Sequence, residues 1–255
     1  MFQFHFDLLP IDEVAPWGSE EEPTLSWFGL TDGSYWVEVN DTVLFRYKTD
    51  ANDDQSTRPL EYEVVRLWED FMELFSQALE PIPADLREFI ASDPVDWADA
   101  PKQLVAAALR WHESHRLETS HLSPAPLIRI WRTTDEDGDN VTIAWSHNSD
   151  LFAAPAQGIE RVPTAEYIAA HKDFDRRLIA AMHDRVNEIV NRGGLPGIDL
   201  DPASLEREHY EQRVTKPAWW EWAMDWDSFE TDYSGVRSGA ALLLAGAVRS
   251  NSEVP

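Results

Sequence analysis

Apolar residues recur at every second position near the start of the chain, and at every third or fourth position from about residue 61 onward. That change of period requires strands first and helices after, because the two spacings bury one face of different backbones. Phe2, Phe4, Phe6 and Leu8 alternate with Gln3, His5 and Asp7, the pattern of a half-buried strand. Further β-rich runs at 24–30, 35–39 and 42–48 are separated by Thr31-Asp32-Gly33-Ser34 and Asn40-Asp41, residues suited to hairpin turns. An antiparallel meander is expected here, with 50–59 as a polar connector.

Helical spacing then takes over. Val64, Leu67, Trp68, Phe71, Phe75 and Leu79 predict a helix over about 61–79, ended by Pro81 and Pro83. A short helix near 84–91 and another from Pro101 to about Arg116 follow. Residues 127–133 and 141–146 predict a second hairpin near the middle of the chain. A long helix is expected over about 165–191, capped by Thr164 and stopped by Gly193-Gly194. Asp201-Pro202 has the form of an N-cap and first turn for a helix to about Arg213. The fold class is therefore α+β, an N-terminal antiparallel meander packed with helices. Residues 1–215 are expected as one domain, 216–234 as an aromatic acidic helix and 235–255 as a flexible tail.

Charge adds a second constraint. The formal net charge is −26, and the first 100 residues carry 23 acidic against 5 basic side chains. Such a polarised field repels nucleic acid and anionic lipid and attracts basic proteins. The chain has no cysteine, which excludes disulfides, thiolate metal sites and cysteine nucleophiles. Met1 to Asp7 lacks the basic start of a signal peptide, and the longest apolar stretch, 239–248, is about half the ~20 residues a spanning helix needs. A cytoplasmic location is expected.

Several runs resemble a family of acidic bacterial proteins known only as a domain of unknown function. They are Trp27-Phe28-Gly29-Leu30-Thr31-Asp32-Gly33 with Tyr35-Trp36 and Glu38-Val39, Arg66-Leu67-Trp68-Glu69-Asp70, Pro81-Ile82-Pro83-Ala84-Asp85-Leu86, Ile130-Trp131-Arg132, and Glu206-Arg207-Glu208-His209. The resemblance spans about residues 2–215 and implies that this stretch behaves as one unit. It supplies no catalytic residues.

Candidate sites follow from the residue chemistry. Trp219, Trp222, Trp226 and Phe229 share one helical stripe beside acidic residues, a pattern that can enter a partner's apolar groove or pack on its own domain. Asp53, Asp54, Glu61 and Glu63 are the acids expected to meet a basic partner. His112 and His115 share a helix face and are weak metal candidates, because their spacing of three departs from the zinc-protease pattern. Asp135, Asp137 and Asp139 alternate as in a calcium loop, yet Gly138 is fourth where an EF-hand needs it sixth, so a charged hairpin turn is expected. No phosphate-binding glycine loop and no Gly-x-Ser-x-Gly nucleophile elbow is present. No cofactor is expected. Two functions remain open: an acidic interaction protein, such as an immunity-like inhibitor of a basic protein or a DNA mimic, and an enzyme, either a divalent-metal hydrolase using His112, His115 and carboxylates or another small-molecule enzyme.

Overall fold

The computed structural model describes residues 1–50, 53–92, 102–225 and 231–252. Ten strands are assigned among them: β1 (Phe2–Leu8), β2 (Trp17–Gly18), β3 (Pro23–Thr24), β4 (Asp32–Val39), β5 (Thr42–Leu44), β6 (Arg46–Asp50), β7 (Asp53–Glu63), β8 (Leu127–Asp135), β9 (Gly138–Ser146) and β10 (Gln157–Pro163). The α-helices are α1 (Val64–Leu79), α2 (Arg87–Ile90), α3 (Lys102–Glu113), α4 (Thr164–Arg192), α5 (Pro202–Ala223) and α6 (Tyr233–Ser252). All named strands pair antiparallel, so the α+β class holds.

Strands β1, β4, β7 and β6 lie side by side in a five-stranded sheet, with β5 on β4. Chain neighbours are therefore not always sheet neighbours, and β4 sits between β1 and β7. The expected strand at 24–30 is mostly a loop ending in a 3-10 turn at Gly29–Thr31, and Asp32-Gly33 opens β4 instead of forming a turn. The connector expected at 50–59 belongs from Asp53 onward to β7, which continues directly into α1.

Gly33 occupies β4 for a steric reason. A Cβ there would lie 2.3 Å from the Asp7 carbonyl oxygen and 2.9 Å from the Leu8 Cα, so β1 can approach only a glycine. Gly33→Ala is accordingly expected to cost about 2–3 kcal/mol by pushing β1 away from β4. Urea denaturation measures this, and a loss within ~0.5 kcal/mol would contradict the close approach.

The inner face of this sheet carries Phe2, Phe4, Tyr35, Val37 and Val39, all buried, against α1 and α4. Phe4 stacks on Phe174 of α4 at 4.6 Å and meets Phe71 of α1 edge-on at 4.8 Å. The second sheet, β10-β9-β8, is buried on both faces of its central part. Ile128, Ile130, Val141 and Ile143 face the main core, while Trp131 faces a second core built with α2, α3 and α6.

Helix α6 occupies the stretch for which a flexible tail from residue 235 is expected. Val236, Ala240 and Leu243 repeat at helical spacing and are buried in the second core. The crossing with α3 is tight, since a Cβ on Gly239 would come within 2.7 Å of the Ala108 Cβ. Glu80, at the end of α1, fixes the start of α6 by accepting hydrogen bonds from Thr231 Oγ1 at 2.8 Å and Tyr233 Oη at 2.7 Å. Helix α5 begins as expected, Asp201 capping Ala203 and Ser204 with Pro202 in the first turn, but continues to Ala223. The final turns of α5 thus contain Trp219 and Trp222, which are not part of a separate element.

Candidate interaction surfaces

The outer face of the five-stranded sheet is its solvent side, because Asp32, Ser34, Trp36 and Glu38 alternate with the four buried residues of β4. The pairing register places Asp7, Ser34 and Glu61 in one row across β1, β4 and β7. It sets Asp32 opposite Glu63 in the next row. With strands about 4.8 Å apart, Asp7, Asp32, Glu61 and Glu63 fall within a patch roughly 10 Å across. Like charges placed directly opposite each other are unfavourable in an isolated sheet. Part of that cost is offset by Arg58, which pairs with Glu61 at 3.2 Å, and by Arg185, whose positive charge interacts with Asp32.

The same face carries a half-buried aromatic centre. His5 lies on Trp36 with ring centroids 4.8 Å apart and planes within 3°, and the Arg46 guanidinium sits 5.3 Å from the Trp36 ring. His5 Nε2 is 3.3 Å from Glu38. A planar indole between a histidine and a guanidinium, bordered by carboxylates, combines the aromatic anchor and charged rim found at protein interfaces.

The expected acids do not all gather on this patch. Glu61 and Glu63 belong to it, whereas Asp53 and Asp54 begin β7, eight and seven residues before Glu61, or ~25 Å along the strand. On the C-terminal stripe, Trp219 is half-buried, 5.8 Å from Phe75 and 5.0 Å from Trp220. Trp222, one turn on, is 56% exposed and 6.5 Å from Trp219. Trp226 and Phe229 lie outside the described residues.

The histidine pair occupies the interior. His112 is fully buried beside Phe89, 5.3 Å between ring centroids, and His115 is 1% exposed with Nδ1 2.8 Å from the Trp111 carbonyl oxygen. Burial holds both rings neutral, pushing His112 down to about 3, with the Arg129 charge acting in the same direction, and His115 down to about 4. Among the described residues no three His, Cys, Asp or Glu side chains are placed to hold a metal ion. The acidic turn is likewise structural, as Arg132 grips Asp139 through Nε and Nη2 at 2.7 and 2.8 Å and Arg87 binds Asp135 at 2.8 Å.

The sequence runs quoted above are brought together as packing anchors. Trp27 donates its indole N–H to His209 Nδ1 at 3.3 Å, and its backbone N–H is 3.4 Å from Glu208. Trp68 donates to Asp175 at 3.1 Å, and Arg132 donates to the Leu79 carbonyl at 3.1 Å. Each bond joins elements more than fifty residues apart in the chain.

What the fold and surface define is an antiparallel α+β protein with an acidic, partly aromatic sheet face and no helix among the described residues long and apolar enough to cross a membrane. The chain belongs to a family of unknown function, DUF5984, whose model matches residues 3–239. No curated protein and no solved structure shows a significant match.

Proposed function

We propose that this is an acidic interaction protein, an immunity-like inhibitor that covers a basic protein partner in the cytoplasm, and that its contact surface is the outer face of the five-stranded sheet. The observation carrying this reading is the in-register set Asp7, Asp32, Glu61 and Glu63 beside the His5–Trp36–Arg46 stack. Carboxylates arranged this way steer a cationic surface toward the face and set its orientation, while the indole supplies apolar burial once contact is made. The net charge of −26 extends the attraction beyond the patch and disfavours nucleic acid as a partner.

The test is capture of partners from lysate of the source organism at low and at high salt, with wild type beside a variant carrying Asp7→Lys, Glu61→Lys and Glu63→Lys. A basic protein retained by wild type at low salt should be released at high salt, and its association rate with the variant should fall at least ~10-fold. Equal binding to wild type and variant would remove the sheet face from the interaction. Failure to retain any basic protein at low salt would overturn the reading itself.

A further inference from the structure

A groove between α4 and α5 differs in character from the acidic sheet face. Asp175, Arg176, Ile179, Ala180 and His183 form its α4 wall, and Arg213 and Trp220 its α5 wall, enclosing about 390 Å³. Its apolar lining is Ile179, Ala180 and the Trp220 indole. The rim is cationic, since Arg176 and Arg213 line it and the Lys172 amine lies 5.8 Å from the Trp220 ring. The carboxylate in the groove is already engaged. Asp175 accepts the indole N–H of Trp68 on one oxygen at 3.1 Å and that of Trp220 on the other at 3.2 Å. These bonds also fix the plane of Trp220.

The cations are not equally occupied. Arg176 pairs with Asp173 at 2.5 Å, whereas Arg213 is exposed and makes no ion pair among the described residues. At the other end, His183 bonds Asn187 at 3.0 Å and stacks 5.4 Å from His209. On a chain of net charge −26, this groove gathers three cationic side chains, Lys172, Arg176 and Arg213, beside two carboxylates, Asp173 and Asp175, so positive charge is locally in excess.

We infer that this groove binds a small planar organic anion, an aryl carboxylate or aryl phosphate, with its ring against Trp220 and Ile179 and its charged group at Arg213 and Arg176. Charge complementarity selects the anion, and the fixed indole selects the planar apolar part. The volume lies in the range of small-molecule ligand pockets.

Full-length protein titrated with 1-naphthoate and with phenyl phosphate tests this, following the Trp220 indole N–H signal by NMR after assignment with Trp220→Phe. Saturable binding is expected at about 1 mM or tighter, with the Trp220 signal among those that move. Arg213→Ala, a change at an exposed side chain, should weaken binding ~10-fold or more through loss of a charge-assisted hydrogen bond. Ala180→Phe should block the groove while leaving the fold intact, as judged by the other indole signals. Several results would overturn the inference: no saturation by either anion, unchanged affinity in Arg213→Ala, equal binding of uncharged 1-naphthalenemethanol, or a concentration-dependent dimer that protects the Trp220 signal.

Discussion

Lowering the pH from 7 to 5 is expected to remove about 4 kcal/mol of folding stability, a large share of the total for a chain of this kind. Burial holds His112 and His171 down to about 3 and His115 down to about 4. In the unfolded chain each returns to its ordinary value near 6.5. Below that value the unfolded chain takes up protons that the native interior refuses. Stability from these rings is therefore complete above about pH 6.5 and is lost as pH falls toward their native values, at about 2 kcal/mol each by pH 5. His209, lowered to about 4 by burial, acts in the same direction.

One buried carboxyl opposes them. Asp70, in contact with Arg66 at 3.2 Å and 3.8 Å from His121, is pushed up to about 7 by burial, against the pull of the Arg66 charge. The native state accepts this proton first, so Asp70 returns about 2 kcal/mol as pH falls from 7 to 5. Three histidines outweigh one aspartate. Urea unfolding followed by circular dichroism at the two pH values measures the difference, and equal stability would contradict it. His171→Phe, which leaves the aromatic cluster in place and cannot titrate, should recover about 2 kcal/mol at pH 5 relative to pH 7.

Phe4→Ala is expected to destabilise the protein by about 3–5 kcal/mol, with no compensation from pH or salt. The ring is 1% exposed and has close aromatic neighbours on both helices and on its own strand: Phe174 at 4.6 Å, Phe71 at 4.8 Å, His171 at 4.8 Å and Phe2 at 5.1 Å. A void there cannot be filled without moving α1 and α4 together. Phe6, two positions along the same strand, is the control. It is half-buried near the sheet edge with the Arg177 guanidinium 5.3 Å from its ring, so Phe6→Ala should cost less than half as much. Equal losses at the two positions would show that the aromatic cluster around Phe4 has no special weight.

What the sequence made readable was whatever depends on neighbours along the chain. Phe2, Phe4 and Phe6 announce β1 by alternation, Val64 to Leu79 announce α1 by period, and Asp201-Pro202 sets the start of α5 by local capping. The parts that were hidden depend on pairing at a distance. Nothing within β4 shows that β1 and β7 flank it, so Asp7, Asp32, Glu61 and Glu63 could not be seen as one patch, nor His5 and Arg46 as partners of Trp36. Gly33 looked like turn chemistry because the β1 backbone it admits is some twenty-five residues earlier in the chain. Strand β10 is not legible in the sequence because, apart from Val162, its residues lie outside the core and show little apolar alternation. In α6 the runs of Gly, Ser and Ala resembled a tail, since small residues suit a close helix crossing as well as they suit a loose end. The α4–α5 groove had no local signature at all. Its walls come from two helices whose contributing residues are up to forty-five positions apart.

The docking of α6 also governs the order in which the protein matures during synthesis. Trp131 on β8 and Phe89 on α2 belong to a core whose remaining wall is supplied by Val236, Ala240 and Leu243. Domains emerge from the ribosome amino end first, at about 5–20 residues per second. The first sheet, α1 and α4 can therefore assemble while the face of α3 that α6 covers, around Val105 and Ala108, is still bare. Until α6 has been made and docked that surface stays exposed to water, and a message truncated before α6 would leave it permanently open to chaperones and proteases.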